Sequence, residues 1–234
     1  MKKDEILDIK IEGYEVRIFE KKSHEKQKQI PIFYMPVLSM DQGDKIWSLI
    51  KKDCILVMIV IEHWNKDLSP WRAKKIFLGG EDFDGEGNRF CNILISKIIV
   101  EVEKIVGSKI ESKNRGIIGY SMAGLFALYC IFQTDLFGMI GSVSGSLWFD
   151  GILEYVKNHT PKESNREDLS FYFSLGDKEE STKEQRMSIV KENTDKIVEY
   201  FRSRYDRVVY VINPGGHFQN SEKRIVDGIQ KLIL

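Results

Sequence analysis

The chain has 234 residues, 42% of them hydrophobic and 11% aromatic, enough apolar side chain for a sizeable core and too much for a disordered chain. Lys+Arg and Asp+Glu number 35 each, so the net charge is zero; this argues against a nucleic-acid-binding protein, which carries a basic excess. The length suits one domain spanning 1–234.

Three cysteines, Cys54, Cys91 and Cys130, each sit inside an apolar run with no C-x-x-C spacing. They read as buried free thiols rather than a disulfide framework or a metal site. Met1-Lys2-Lys3-Asp4-Glu5 is followed by no apolar leader, and the longest apolar run, Ile55 to Ile61, is too short to cross a bilayer. A cytoplasmic location without a membrane partner is expected.

Ile6 to Phe19 alternates apolar and polar residues about Gly13, the period of a strand pair with a tight turn. A charged loop, Glu20 to Gln29, contains His24. Ile30 to Met35 and Ile55 to Ile61 are nearly continuous apolar runs, as expected for strands buried on both faces. Asp41 to Lys52 between them has a helical apolar face. A long mixed loop, Glu62 to Asp84, is expected to reach the cleft, and His63 at its start is a further candidate for the cleft wall. Phe90 to Val106 places Ile93, Leu94, Ile98, Val102 and Ile105 at helical spacing.

Further on, Gly116 to Tyr120 reads as a short buried strand and Met122 to Phe132 as a buried helix. Phe137 to Val143, Leu169 to Leu175 and Arg207 to Ile212 are strands; Ile152 to Asn158, Ser188 to Ser203 and Lys223 to Leu234 are helices. Alternating strands and helices imply right-handed crossovers. The expected fold is α/β, a mostly parallel central sheet with helices on both faces and an antiparallel N-terminal hairpin at its edge.

The chemistry concentrates in Gly119-Tyr120-Ser121-Met122-Ala123-Gly124. Ser121 lies between a strand and a helix, in a turn so sharp that the residues two before and two after it must be small, the G-x-S-x-G nucleophile elbow with alanine at its last position. Such a turn aims the Met122 N–H at a developing oxyanion. After Ser121 the chain supplies, in the order of an α/β-hydrolase triad, acids at Asp177, Glu179 and Glu180 behind one strand, and His217 in Asn213-Pro214-Gly215-Gly216-His217 behind the next. Both positions lie past the carboxyl ends of strands, where open α/β sheets place ligands. His24 and His159 read as solvated surface groups.

A serine hydroxyl is a poor nucleophile, so His217 is expected to take its proton and return one to the leaving alkoxide. A carboxylate must hold the other ring nitrogen; Glu179 is the first candidate and Asp177 the alternative. The loop after the Ile30–Met35 strand supplies a second oxyanion amide, from Leu38 or Ser39. Trp71, Tyr120 and Trp148 are candidate substrate contacts, with Trp64 and Phe149 beside them. No metal or organic cofactor is implied; the partner is a small-molecule ester.

Leu68-Ser69-Pro70-Trp71, Gly119 to Tyr129, Ser144-Gly145-Ser146-Leu147-Trp148-Phe149, Ser174 to Glu180 and Asn213 to Phe218 together resemble the Putative esterase (esterase D-like) family of α/β-hydrolases, related to enterochelin-type siderophore esterases and to feruloyl and acetyl esterases. The resemblance implies Ser121 as nucleophile and His217 as base. Relatives often carry Asp-Gly where this chain has Val37-Leu38. In many α/β-hydrolases the acid stands three residues after the glycine ending its strand, which points to Glu179. A serine carboxylic-ester hydrolase is expected, acting on a siderophore ester or a small acyl ester. An acyltransferase using the same triad and a non-catalytic hydrolase-like binding module are the alternatives.

Overall fold

The computed structural model describes residues 5–20, 30–162 and 166–233; His24 and most of its charged loop lie outside them. The chain opens with β1 (Glu5–Ile11) and β2 (Tyr14–Glu20), an antiparallel hairpin turning at Gly13, whose φ of +91° suits glycine. There follow β3 (Ile32–Val37), α1 (Met40–Leu49) and β4 (Ile55–Val60). The loop expected from Glu62 to Asp84 is partly ordered: it holds a short helix, α2 (Trp64–Asp67), and a two-residue ribbon, β5 (Arg72–Ala73) with β6 (Phe83–Asp84).

The amphipathic segment after it is one helical run in three parts: α3 (Gly87–Ile93), a π-helical turn (Leu94–Ile98) and α4 (Ile99–Val106). The rest comprises β7 (Arg115–Tyr120), α5 (Met122–Cys130), β8 (Met139–Val143), α6 (Ile152–Asn158), β9 (Ser170–Gly176), α7 (Gln185–Ser188), α8 (Val190–Arg202), β10 (Val208–Asn213) and α9 (Ser221–Leu232).

The main sheet has eight strands in the order β1-β2-β4-β3-β7-β8-β9-β10. The β1–β2 and β2–β4 pairs are antiparallel and all others parallel, so the expected α/β architecture and edge hairpin are present. The continuous apolar runs are explained by burial on both faces. In β3, Ile32 and Tyr34 face one core with α3–α4, α5, α6 and α8, while Phe33, Met35 and Val37 face a second core with α1 and α9. β4 divides likewise, Ile55, Val57 and Ile59 against Leu56 and Met58. Each such side chain contributes about 1.5–3 kcal/mol by leaving water. All nine residues of α5 are buried, and the three cysteines are buried and form no disulfide. Among the described residues, no helix is long and apolar enough to cross a membrane.

Candidate active site

The parallel strands β7, β9 and β10 deliver their carboxyl ends to one edge of the sheet, and the site is assembled there. At the end of β7, Ser121 has φ +59° and ψ −122°, a conformation costly for a non-glycine residue and held only by its surroundings. Its N–H donates to the Val143 carbonyl (3.1 Å), and its own carbonyl accepts from Ser146 N–H (3.0 Å) and from the first turn of α5 through Gly124 and Leu125. The turn is possible because Gly119 has no side chain: a Cβ there would lie 2.4 Å from the Ala123 carbonyl carbon and oxygen. The small residues expected at positions 119 and 123 thus have a direct steric cause.

Ser121 Oγ lies 3.0 Å from His217 Nε2, and His217 Nδ1 lies 2.7 Å from Glu179 Oε2. An ionised carboxylate only accepts, so Nδ1 carries the hydrogen and Nε2 is free to accept from the serine hydroxyl. The Ser146 hydroxyl is 3.2 Å from Ser121 Oγ. The phenol of Tyr120 donates to the His217 carbonyl and stays protonated, because burial pushes its pKa up. Tyr120 therefore braces the loop that presents the imidazole.

Glu179 has its second oxygen fully engaged: Oε1 accepts from Gly176 N–H (2.7 Å) and from Arg224 Nη1 (2.8 Å). Burial alone would raise this carboxyl. The hydrogen bond and charge of His217, with the Gly176 amide and the Ser144 hydroxyl, outweigh it and hold the group below the usual carboxylate range. Arg224, buried on α9, also donates from Nη1 to Ser144 Oγ (3.0 Å) and from Nη2 to the Pro214 and Gly216 carbonyls (3.1 Å each). One guanidinium thus ties the acid, the β8 end and the histidine loop together.

Asp177, the alternative acid, is exposed, and the partner of the imidazole Nδ1 is Glu179. Asp177 Oδ1 accepts from Gly215 N–H (2.7 Å), and its own N–H donates to the Asn213 carbonyl (2.8 Å). The short side chain thus closes the turn between the β9 and β10 ends. Glu180 faces solvent. Met122 is the first residue of α5, so its N–H has no acceptor within the helix. Leu38 lines the cleft over Ser121, whereas Ser39 is the exposed N-cap of α1 and is not among the cleft-lining residues.

The cleft itself has a volume of about 330 Å³. It is lined by Met35 to Leu38, of β3 and the residue after it, by Gln42 and Trp64, by Tyr120, Ser121, His217 and Phe218, and by Ser221 and Ile225 of α9.

Of the aromatics expected at the cleft, Tyr120 and Trp64 line it, and Trp71, Trp148 and Phe149 do not. Trp71 packs on Phe149 and Tyr155 (centroids 5.9 and 5.1 Å) and donates its indole N–H to the Asp150 carbonyl (2.8 Å); it fastens the 62–84 segment to the 147–151 turn. Trp148 is buried against Phe83 and Phe149 and lines a separate void of about 20 Å³ beside Glu179 and His217. His63 lies in another hollow, with Glu12, Tyr14, Asp67 and Arg89, and His159 stacks on Tyr155 at the surface. Arg224, Ser144 and Ser146 are site residues that the sequence reading misses. The signal available for Arg224 is its place beside the apolar stripe Ile225, Ile229, Leu232 of a helix, where an inward charge needs a partner.

Residues 76–220 match the model of a family described as "Putative esterase". YbbA of Bacillus subtilis (strain 168), an uncharacterized protein, is 33% identical over 104 residues, which is 43% of this chain and 42% of the length of that relative. Among solved structures, the siderophore hydrolase EstB from Aspergillus nidulans superposes with a TM-score of 0.75 at 18% identity, over 99% of this chain and 94% of that one. An IroE-like serine hydrolase from Shewanella oneidensis gives 0.75 at 16% identity, over 97% and 79%. These structures share the fold.

Proposed function

The chain belongs to the Putative esterase family, and from that premise we propose that it is a serine carboxylic-ester hydrolase working through an acyl-enzyme on Ser121. The observation that carries this reading is the unbroken relay from Ser121 Oγ through His217 to Glu179, at 3.0 and 2.7 Å.

In the proposed reaction Ser121 Oγ attacks the ester carbonyl carbon while His217 Nε2 takes the hydroxyl proton. The carbonyl oxygen becomes an oxyanion facing the Met122 N–H and an amide of the Leu38–Ser39 segment. Collapse breaks the bond to the alcohol oxygen, which leaves with the proton held on His217, and Ser121 keeps the acyl group. Water then attacks the acyl carbon, giving a proton to His217, and the second collapse releases the carboxylic acid and restores the serine. Glu179 holds Nδ1–H throughout, fixes the ring and stabilises the imidazolium.

Labelling with a fluorophosphonate probe tests the reading. The protein should be labelled stoichiometrically and Ser121→Ala not at all; equal labelling of both would overturn it. The name of EstB, a siderophore hydrolase, brings a siderophore ester forward as one substrate class, beside the small acyl esters.

A further inference from the structure

We infer that the ester taken by this cleft is uncharged and carries an apolar alkyl or aryl group, and that anionic esters are handled poorly. The inference rests on the proposed Ser121 hydrolase and concerns only what that site accepts.

Among the described residues, those lining the cleft include no Lys, Arg, Asp or Glu. Met35, Val37, Leu38, Trp64 and Ile225 present hydrocarbon, and the one side-chain amide among them is that of Gln42. The mouth holds two large side chains left in water, Phe218 at 93% exposure and Leu38 at 63%. Exposed apolar surface gathered at a concave site marks a surface that gains by being covered.

The cations that an anionic substrate would need are engaged elsewhere. Lys74 pairs with Asp82 at 3.0 Å, and Lys75 Nζ donates to the Leu78 carbonyl at 3.1 Å. Arg72 stands on β5, outside the cleft walls. Arg224 reaches the triad from behind, but it is 2% exposed, and its Nη1 and Nη2 donate to Glu179, Ser144, Pro214 and Gly216. A substrate carboxylate or catecholate entering here would lose water and gain no ionic partner, which opposes binding. A neutral apolar group loses only unfavourable hydration and gains contact with Phe218, Leu38 and Trp64.

A matched pair of substrates tests this, p-nitrophenyl butyrate against p-nitrophenyl hemisuccinate, with a catecholate trilactone as a third arm. The leaving group of the pair is common and the acyl chains differ by a terminal carboxylate. The expected result is a kcat/KM at least about tenfold higher for the butyrate, since each tenfold is a modest differential binding energy, with Leu38→Lys narrowing the gap by improving the hemisuccinate. Phe218→Ala should raise KM for the butyrate more than it lowers kcat. Equal or better kcat/KM for the hemisuccinate or the trilactone, with turnover lost in Ser121→Ala, would overturn the inference and leave the hydrolase reading standing. No turnover of any of the three and no fluorophosphonate labelling would remove both.

Discussion

Arg224 Nη1 sits 2.8 Å from Glu179 Oε1, and the two side chains are only 2% and 3% exposed. A carboxylate this deep is stable as an anion only if both oxygens are answered, and here the imidazole takes one while the guanidinium and the Gly176 amide take the other. Helix α9 therefore contributes to the site through a residue that does not line the cleft.

Arg224→Met should lower both stability and rate. Truncating one member of a buried pair costs about 3–5 kcal/mol, because the other charge is left uncompensated. The double variant Arg224→Met/Glu179→Gln should be less destabilised than the sum of the single changes. Urea midpoints for all four proteins measure the coupling; simple additivity would show that the two groups do not depend on each other.

Ser121→Ala should reduce ester turnover by about 10³-fold or more while the fold is retained, because the attacking oxygen is gone. The comparison uses p-nitrophenyl butyrate at saturating concentration, with circular dichroism as the folding control. A folded variant with undiminished turnover would remove Ser121 from the mechanism.

The two acids behind β9 should separate cleanly. Glu179→Gln is expected to cost on the order of 10²–10⁴ in kcat, since a ring no longer held at Nδ1 presents the wrong tautomer to the serine. Asp177→Asn should cost far less, because Asp177 Oδ1 meets the Gly215 amide and not the imidazole. The reverse ranking would reassign the acid.

Acid should destabilise the protein partly through Glu179. Its folded-state pKa is depressed, so its contribution is fully present above the unfolded value of about 4.3 and is lost as pH falls through the folded value. Stability measured by urea titration from pH 7 to 3 should therefore fall more steeply below about pH 4.3 in the parent protein than in Glu179→Gln. Parallel curves would deny the depressed pKa.

Gly119→Ala should destabilise by about 1–3 kcal/mol or more through overpacking and displace Ser121. Two of the three nearest atoms to the added Cβ are the backbone carbon and oxygen of Ala123, so adding Ala123→Gly should not restore stability or rate. Rescue by that second change would mean that the side-chain contact alone sets the elbow.

The fold is legible in the sequence wherever a period is unambiguous. Alternation about Gly13 marks the hairpin, and the unbroken runs of β3 and β4 mark strands with two buried faces. The Ser121 turn is legible because its steric demand acts on residues two positions away. What stays hidden depends on contacts distant along the chain. Trp71 and Trp148 carry the same local signature as a cleft aromatic, and only the docking of the 62–84 segment on Phe149 and Tyr155 turns them away. Arg224 borders the apolar stripe of its helix, which hints at an inward charge, but its partners appear only when β9 and β10 bring Glu179 and Gly216 to it. The π turn at Leu94–Ile98 leaves the apolar spacing nearly intact and so gives no sign of itself.

Because Arg224 belongs to α9, the helix that follows β10, the order of synthesis bears on when chemistry can begin. Ser121 leaves the ribosome about a hundred residues ahead of the segment that secures its partners. A nascent chain that has formed the elbow but not yet released α9 has no clamp on Glu179 or on the Gly216 carbonyl. The proposed hydrolase would in this sense be incompletely braced until α9 has emerged, and a chain clipped before Arg224 would keep Ser121, His217 and Glu179 without the guanidinium that ties the acid to the histidine loop.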